Sequence, residues 1–148
     1  MNPRVIAIVT GLITCALGIA GLLYPDRAMG LLGYAVLSSS RAPAVLGEVR
    51  ATYGGLFAVM GIFTLLAAID PPAQRGRLLF LGLLWWGACS GRLVGVYIDG
   101  NPGVPGWVTA SFEFVMGGSL VLASLLKSAV RAAAPQATVT STPPSTQA

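Results

Sequence analysis

The sequence predicts an all-α fold: a four-transmembrane-helix bundle with a short interfacial or re-entrant segment between helices 1 and 2 and a disordered C-terminal tail. Three observations carry this reading. Only 9% of the 148 residues are charged while 55% are hydrophobic, with a mean hydropathy of +0.77; in ordinary soluble domains about a quarter of residues are charged. Uncharged apolar stretches recur at the length of about 20 residues that a helix needs to cross the hydrocarbon core. Clusters of proline, glycine and aspartate separate those stretches.

The first span is expected over 5–24. It follows Arg4 and could pass for a secretory signal, but its apolar run exceeds the usual h-region of about 7–15 residues, so it reads as a retained helix. Leu12, Ile13 and Thr14 ahead of Cys15 lack the small residues of a lipoprotein cleavage site. Tyr24-Pro25-Asp26 closes this helix. Residues Ala28 to Ser40 are apolar but too short to span and lie between Pro25 and Pro43, hence the interfacial or re-entrant assignment. The second span, 46–69, carries Glu48 and Arg50 near one end and stops at Asp70-Pro71-Pro72. The third, 78–98, is broken only by Arg92 and ends at Asp99-Gly100-Asn101-Pro102. The fourth, 107–126, is broken only by Glu113. Residues 132–148, dominated by Ala, Pro, Ser, Thr and Gln without a charge, cannot bury a core and are expected to be disordered, leaving 1–131 as the transmembrane domain.

Composition also excludes functions. The net charge is +4 and the pI about 9.6, but the nine basic residues are scattered singly and form no nucleic-acid patch. Histidine is absent, and Cys15 and Cys89 lie alone in separate apolar runs, so no metal centre, dithiol centre or other cofactor is expected. Each cysteine reads as a small hydrophobe. With four crossings the termini share a side with the connection between helices 2 and 3, and that side holds Arg4, Arg75, Arg77, Lys127 and Arg131 against Arg27 and Arg41 opposite. The positive-inside rule makes the termini cytoplasmic.

On that topology the ionisable residues gather in the outer half of the bundle. Glu48, Arg50 and Tyr53 occupy the first turns of helix 2, while Tyr97 and Asp99 end helix 3. Arg92 lies about 9 Å deeper than the end of helix 3, at about the depth of Glu113 on helix 4. A lone charge there costs at least about 2.5 kcal/mol, so Arg92 and Glu113 are expected to be partners. The candidate ligand-binding set is Glu48, Arg50, Tyr53, Arg92, Tyr97, Asp99 and Glu113. The competing reading is an ion-pair network that only fixes helix register. Gly87, Gly91 and Gly95 recur every four residues and are expected to allow close helix packing, inside the bundle or in a dimer. Trp85, Trp86, Phe80, Phe112 and Phe114 read as core or lipid-facing bulk, and Trp107 as an interfacial anchor. Tyr-x-Asp at the ends of helices 1 and 3, and a Glu followed by paired glycines in helices 2 and 4, suggest a faint internal repeat.

The runs Glu48-Val49-Arg50-Ala51-Thr52-Tyr53-Gly54-Gly55 and Gly91-Arg92-Leu93-Val94-Gly95, with Asp99-Gly100-Asn101-Pro102 and Glu113 followed by Gly117, resemble an uncharacterised family of small four-span bacterial membrane proteins, a domain of unknown function. The resemblance covers about Gly11 to Leu126. It implies a four-helix membrane fold in a bacterial inner membrane and assigns no reaction.

Three functions compete. The first is binding or transport of a small molecule or lipid headgroup, with Arg50 and Arg92 on an anionic group and Glu113 or Glu48 as a proton-linked carboxylate. The second is a structural or accessory subunit in the lipid bilayer, in which the polar layer only locks the bundle and the glycine row meets a further copy of the chain or another membrane protein. The third, an enzyme, lacks a visible nucleophile with a base, metal cluster or phosphate loop.

Overall fold

A computed structural model describes residues 2–32 and 42–126. The later part of the expected segment between helices 1 and 2, and the whole of the tail 132–148, lie outside the described residues.

Helix α1 (Pro3–Leu23) opens where the Asn2 side chain accepts the Arg4 backbone N–H at 3.0 Å and Pro3 takes the first helical position. It ends because Pro25 forces Tyr24 off helical geometry, to φ −130° and ψ 59°. The same proline starts the short helix α2 (Pro25–Leu31). The second long element is continuous but not uniform: α3 (Ala42–Val49), a π-helical segment (Arg50–Leu56) and α4 (Phe57–Ala67). Two longer helices follow, α5 (Arg75–Asp99) and α6 (Gly103–Leu125), joined at Gly100 and Gly103, both at positive φ where glycine carries no Cβ penalty. Four helices are long and apolar enough to cross a membrane: Pro3–Leu23, Pro43–Ala67, Arg75–Asp99 and Gly103–Leu125. Large apolar side chains such as Val5, Leu12, Val59, Phe80, Leu83, Val94 and Phe114 face outward along these helices. Water would penalise so much exposed apolar surface, whereas lipid accepts it.

The bundle is two hairpins. In the first, α1 packs along the π segment and α4; in the second, α5 packs along α6; contacts of α1 with α6 and of α4 with α5 join them. Each hairpin has a glycine seam. A Cβ at Gly18 would collide with the Ala58 backbone, one at Gly21 would sit 2.5 Å from the Tyr53 carbonyl oxygen, and one at Gly61 would strike Cys15. In the second hairpin Gly82 faces the Gly117 carbonyl, and Gly117 lies under the Trp86 indole. Such contacts let backbones approach where lipid supplies no hydrophobic drive between helices.

The glycine row on α5 behaves otherwise. Among the described residues no atom lies within 4 Å of a Cβ added at Gly87 or Gly91, and at Gly95 only the chain's own Asp99 carboxylate does, at 3.8 Å. The expected packing inside the bundle is therefore corrected. The regular spacing sets the row on one face of α5, but that face turns away from α6, and Gly82 makes the close contact instead.

The hairpins meet most closely at the end that carries the described N-terminus, called here the terminal end. Ala7, Met60, Ala67, Ala68, Leu78, Leu81, Met116, Leu120 and Ala123 form the core with Trp85 at its distal edge. Arg4 donates to the carbonyls of Ala68 (3.0 Å) and Ile69, satisfying orphan groups at the end of α4. Arg77 lies 5.6 Å from the centre of the Phe63 ring, and Arg75 donates to the Leu126 carbonyl at 3.4 Å. Buried Thr14 and Thr64 donate to the carbonyls of Thr10 and Met60, so neither hydroxyl is left unpaired.

Candidate functional site

In the distal half, three side chains from three helices converge. Glu113 of α6 is 2% exposed. Arg92 of α5 donates Nε–H to both of its oxygens, at 2.8 and 2.9 Å, forming the ion pair expected from their common depth. Arg92 Nη2 also donates to the Tyr53 hydroxyl at 3.3 Å. Three helices are thus tied at one level by charge-assisted hydrogen bonds. Among the described residues no buried side-chain nitrogen or oxygen lacks a partner. The Arg92 side chain is 22% exposed, however, and among the described residues Nη1 and one Nη2 hydrogen find no partner.

Tyr53 reaches this level from the middle of the π segment. In a π-helix the i→i+5 pattern inserts an extra residue into the turn and re-aims neighbouring side chains, a device common near functional sites. Next to it runs an aromatic wall: Tyr53 edge-on to Phe57 at 5.6 Å, Phe57 tilted on Trp85 at 4.9 Å, and Trp85 edge-on to Phe112 at 5.6 Å. Trp85 is 1% exposed.

Two cavities flank this wall. One, about 430 Å³, lies between α1, α2 and α6 and is almost wholly apolar, with Leu17, Ala20, Leu31, Val108 and Phe112 in its walls, Arg27 and Tyr24 at its distal end and Glu113 at its floor. The other, about 400 Å³, opens between the second long element and α5; Thr52, Leu56, Ala88 and Gly91 line it, with Arg92 and Glu113. Both volumes fall within the range of about 300–1,000 Å³ typical of ligand sites.

The other residues of the expected polar layer stay outside this centre. Arg50 donates Nε–H to the Leu22 carbonyl at 3.4 Å, so it serves the end of α1. Glu48 and Asp99 are exposed, and Tyr97 is 91% exposed on the last turn of α5. The single polar layer thus resolves into an inward trio, the buried Glu113 with the half-buried Tyr53 and Arg92, and a distal set reaching the surface. Residue depth alone could not separate them. Glu48 and Glu113, paired in the faint internal repeat, occupy opposite environments, one exposed and one buried. Cys15 and Cys89 are free, with Sγ 3.7 and 3.4 Å from the carbonyls of Ala58 and Ala110. Trp107 donates Nε1–H to the Asn101 side chain at the start of α6. Sequence reasoning missed Phe57, Thr52 and the opening at Gly91. Phe57, four residues from Tyr53, was visible as a same-face aromatic pair.

A family profile described as a domain of unknown function, DUF4345, matches residues 3–124, from the first turn of α1 nearly to the end of α6. The chain belongs to the DUF4345 family. No curated protein and no solved structure matches it. The matched region takes in all four candidate spans almost entirely, together with the trio and both cavities, so in this DUF4345 protein the distal centre lies within the family domain.

Proposed function

We propose that this protein is a multi-pass protein of a bacterial inner membrane, with both termini cytoplasmic, that binds a small molecule or lipid headgroup at Tyr53, Arg92 and Glu113. The observation that carries the reading is a buried ion pair with open space on both sides. A pair that served only helix register would gain from dense packing, since every uncontacted wall atom forfeits dispersion. Here cavities of about 430 and 400 Å³ adjoin the carboxylate instead. On the α5 side the unused N–H groups of Arg92 and the hydroxyl of Thr52 favour an oxygen-rich or anionic group. Such a ligand enters sideways, past Gly91, where the missing side chain leaves the wall open. Transport would require the aromatic wall to move.

The accessory-subunit reading has one observation in its favour, the outward row Gly87, Gly91 and Gly95, which offers a face for close approach by a second copy or another membrane protein. Native mass spectrometry of protein released from mild detergent separates the two readings. Binding predicts a copurifying small molecule in the wild type that is lost in Arg92→Lys, which keeps the charge but not the planar fork. Wild-type protein without any retained molecule refutes it.

A further inference from the structure

The cavity between α1, α2 and α6 differs from its neighbour: it shares Tyr53 and Glu113 with it but not Arg92, and its form points to an occupant of its own. Its walls are hydrocarbon: Leu17 and Ala20 from α1, Leu31 from α2, Val108 and Phe112 from α6. From Tyr24 to Leu17 it follows α1 for about 10 Å, the depth of the upper part of an acyl chain in one leaflet. Arg27 lines its distal end, with its guanidinium carbon 5.2 Å from the centre of the Tyr24 ring. Arginine and tyrosine at this level are the pairing expected at the headgroup interface, where an aromatic ring anchors and a cation meets phosphate. A cleft with apolar walls and a cation at the interfacial end has the chemistry of an amphiphile with an anionic head.

We propose that this cavity holds one acyl chain of an anionic phospholipid from the surrounding leaflet, with its phosphate beside Arg27. The chain end then reaches the aromatic wall at Trp85 and Phe57, and the phospholipid seals the outer flank of the ion pair against water. The α2 helix, turned back by Pro25, supplies both Arg27 and Leu31, so the short helix forms the headgroup end of the site.

The test uses Trp85 as reporter. With Trp86→Phe and Trp107→Phe in place, Trp85 is the remaining indole, buried in the bundle and shielded from bulk lipid. The protein is reconstituted in vesicles of phosphatidylcholine or phosphatidylglycerol carrying brominated acyl chains. The expected result is quenching of Trp85, with about a fivefold preference for the anionic lipid. Ala20→Phe, which fills the cavity from α1, should abolish it, while Gly91→Leu, which fills the other cavity, should not. Arg27→Gln should keep the quenching and remove the preference. Trp85 unquenched, or quenching indifferent to Ala20→Phe, overturns the site; a preference that survives Arg27→Gln overturns the headgroup assignment. If the single-tryptophan protein does not fold, native mass spectrometry of the wild type and Ala20→Phe decides. Retained phosphatidylglycerol must be present in the first and absent from the second.

Discussion

Removing Arg92 should harm this protein more than removing both Arg92 and Glu113. In Arg92→Leu the Glu113 carboxylate, 2% exposed, loses both of its hydrogen bonds, at 2.8 and 2.9 Å. Stranding one partner of a buried pair costs about 3–5 kcal/mol. In Glu113→Leu the guanidinium keeps Tyr53 and its opening to the cavity beside α5, so the loss is smaller, about 1–3 kcal/mol. The double variant leaves an apolar contact and no orphan charge, and replacing a buried pair by hydrophobic groups ranges from neutral to stabilising. The coupling between the two changes, the two single losses less that of the double, should therefore reach about 4 kcal/mol or more, above the roughly 0.5–3 kcal/mol usual for residues in contact. Reversible unfolding in mixed micelles, titrated with sodium dodecyl sulfate, gives the four free energies of the cycle. Additivity within about 0.5 kcal/mol would refute the pairing. A Glu113→Leu protein weaker than Arg92→Leu would refute the difference in burial on which the order rests.

Cysteine at Ser145 should escape an impermeant thiol reagent in intact cells and react after lysis if the termini are cytoplasmic, as the five-to-two basic bias predicts; labelling of intact cells would reverse the topology. Gly117→Ala should destabilise the detergent-solubilised protein, since its Cβ would meet the Trp86 indole, whereas Gly87→Ala, with no described atom within 4 Å, should gain about 0.5–1 kcal/mol of helix propensity. Equal effects at the two sites would contradict the seam assignment. Deleting Gly55, which has little packed against it, removes one residue between Tyr53 and α4 and should turn Tyr53 by about 100°. Tyr53→Phe should then cost nothing further, against about 1 kcal/mol in the intact chain; a full penalty in the deletion background would show that the π segment does not aim Tyr53.

The four spans were legible because lipid imposes a length and a polarity on any helix that crosses it, and the breakers at Pro25, Asp70-Pro71-Pro72 and Asp99-Gly100 agree with the observed ends to within a turn. The Arg92–Glu113 pair was legible because isolated charges at that depth are too costly to leave unpartnered. Helix rotation was not legible. The glycine row and the seam glycines look alike in sequence, and it takes the contacts of Gly82 and Trp86 with Gly117 and of Cys89 with Ala110 to show which face of α5 turns toward α6. Nor could the π segment be foreseen, since no proline marks Arg50–Leu56 and its paired glycines, Gly54-Gly55, are matched by Gly117-Gly118 in a regular α-helix.

The position of the open space follows from side-chain size along the line where the hairpins meet. At the terminal end that line contains Ala7, Ala67, Ala68 and Ala123 among its leucines and methionines, and the two hairpins close on each other. In the distal half the same line carries Tyr53, Phe57, Trp85 and Phe112, whose rings, edge-on or tilted to one another, fill the middle and hold the hairpins apart. A wedge at the centre of four helices leaves gaps on its two flanks, and these are the two cavities. The rings alone would leave an apolar wedge; the ion pair and the Tyr53 hydroxyl make it a polar centre reached through apolar openings. Tyr53 belongs to both structures, as the end of the wall and as the third member of the trio. A ligand that competed for its hydroxyl would therefore also disturb the wall, so binding on the Arg92 side and the shape of the acyl-chain cavity should be coupled through this one side chain.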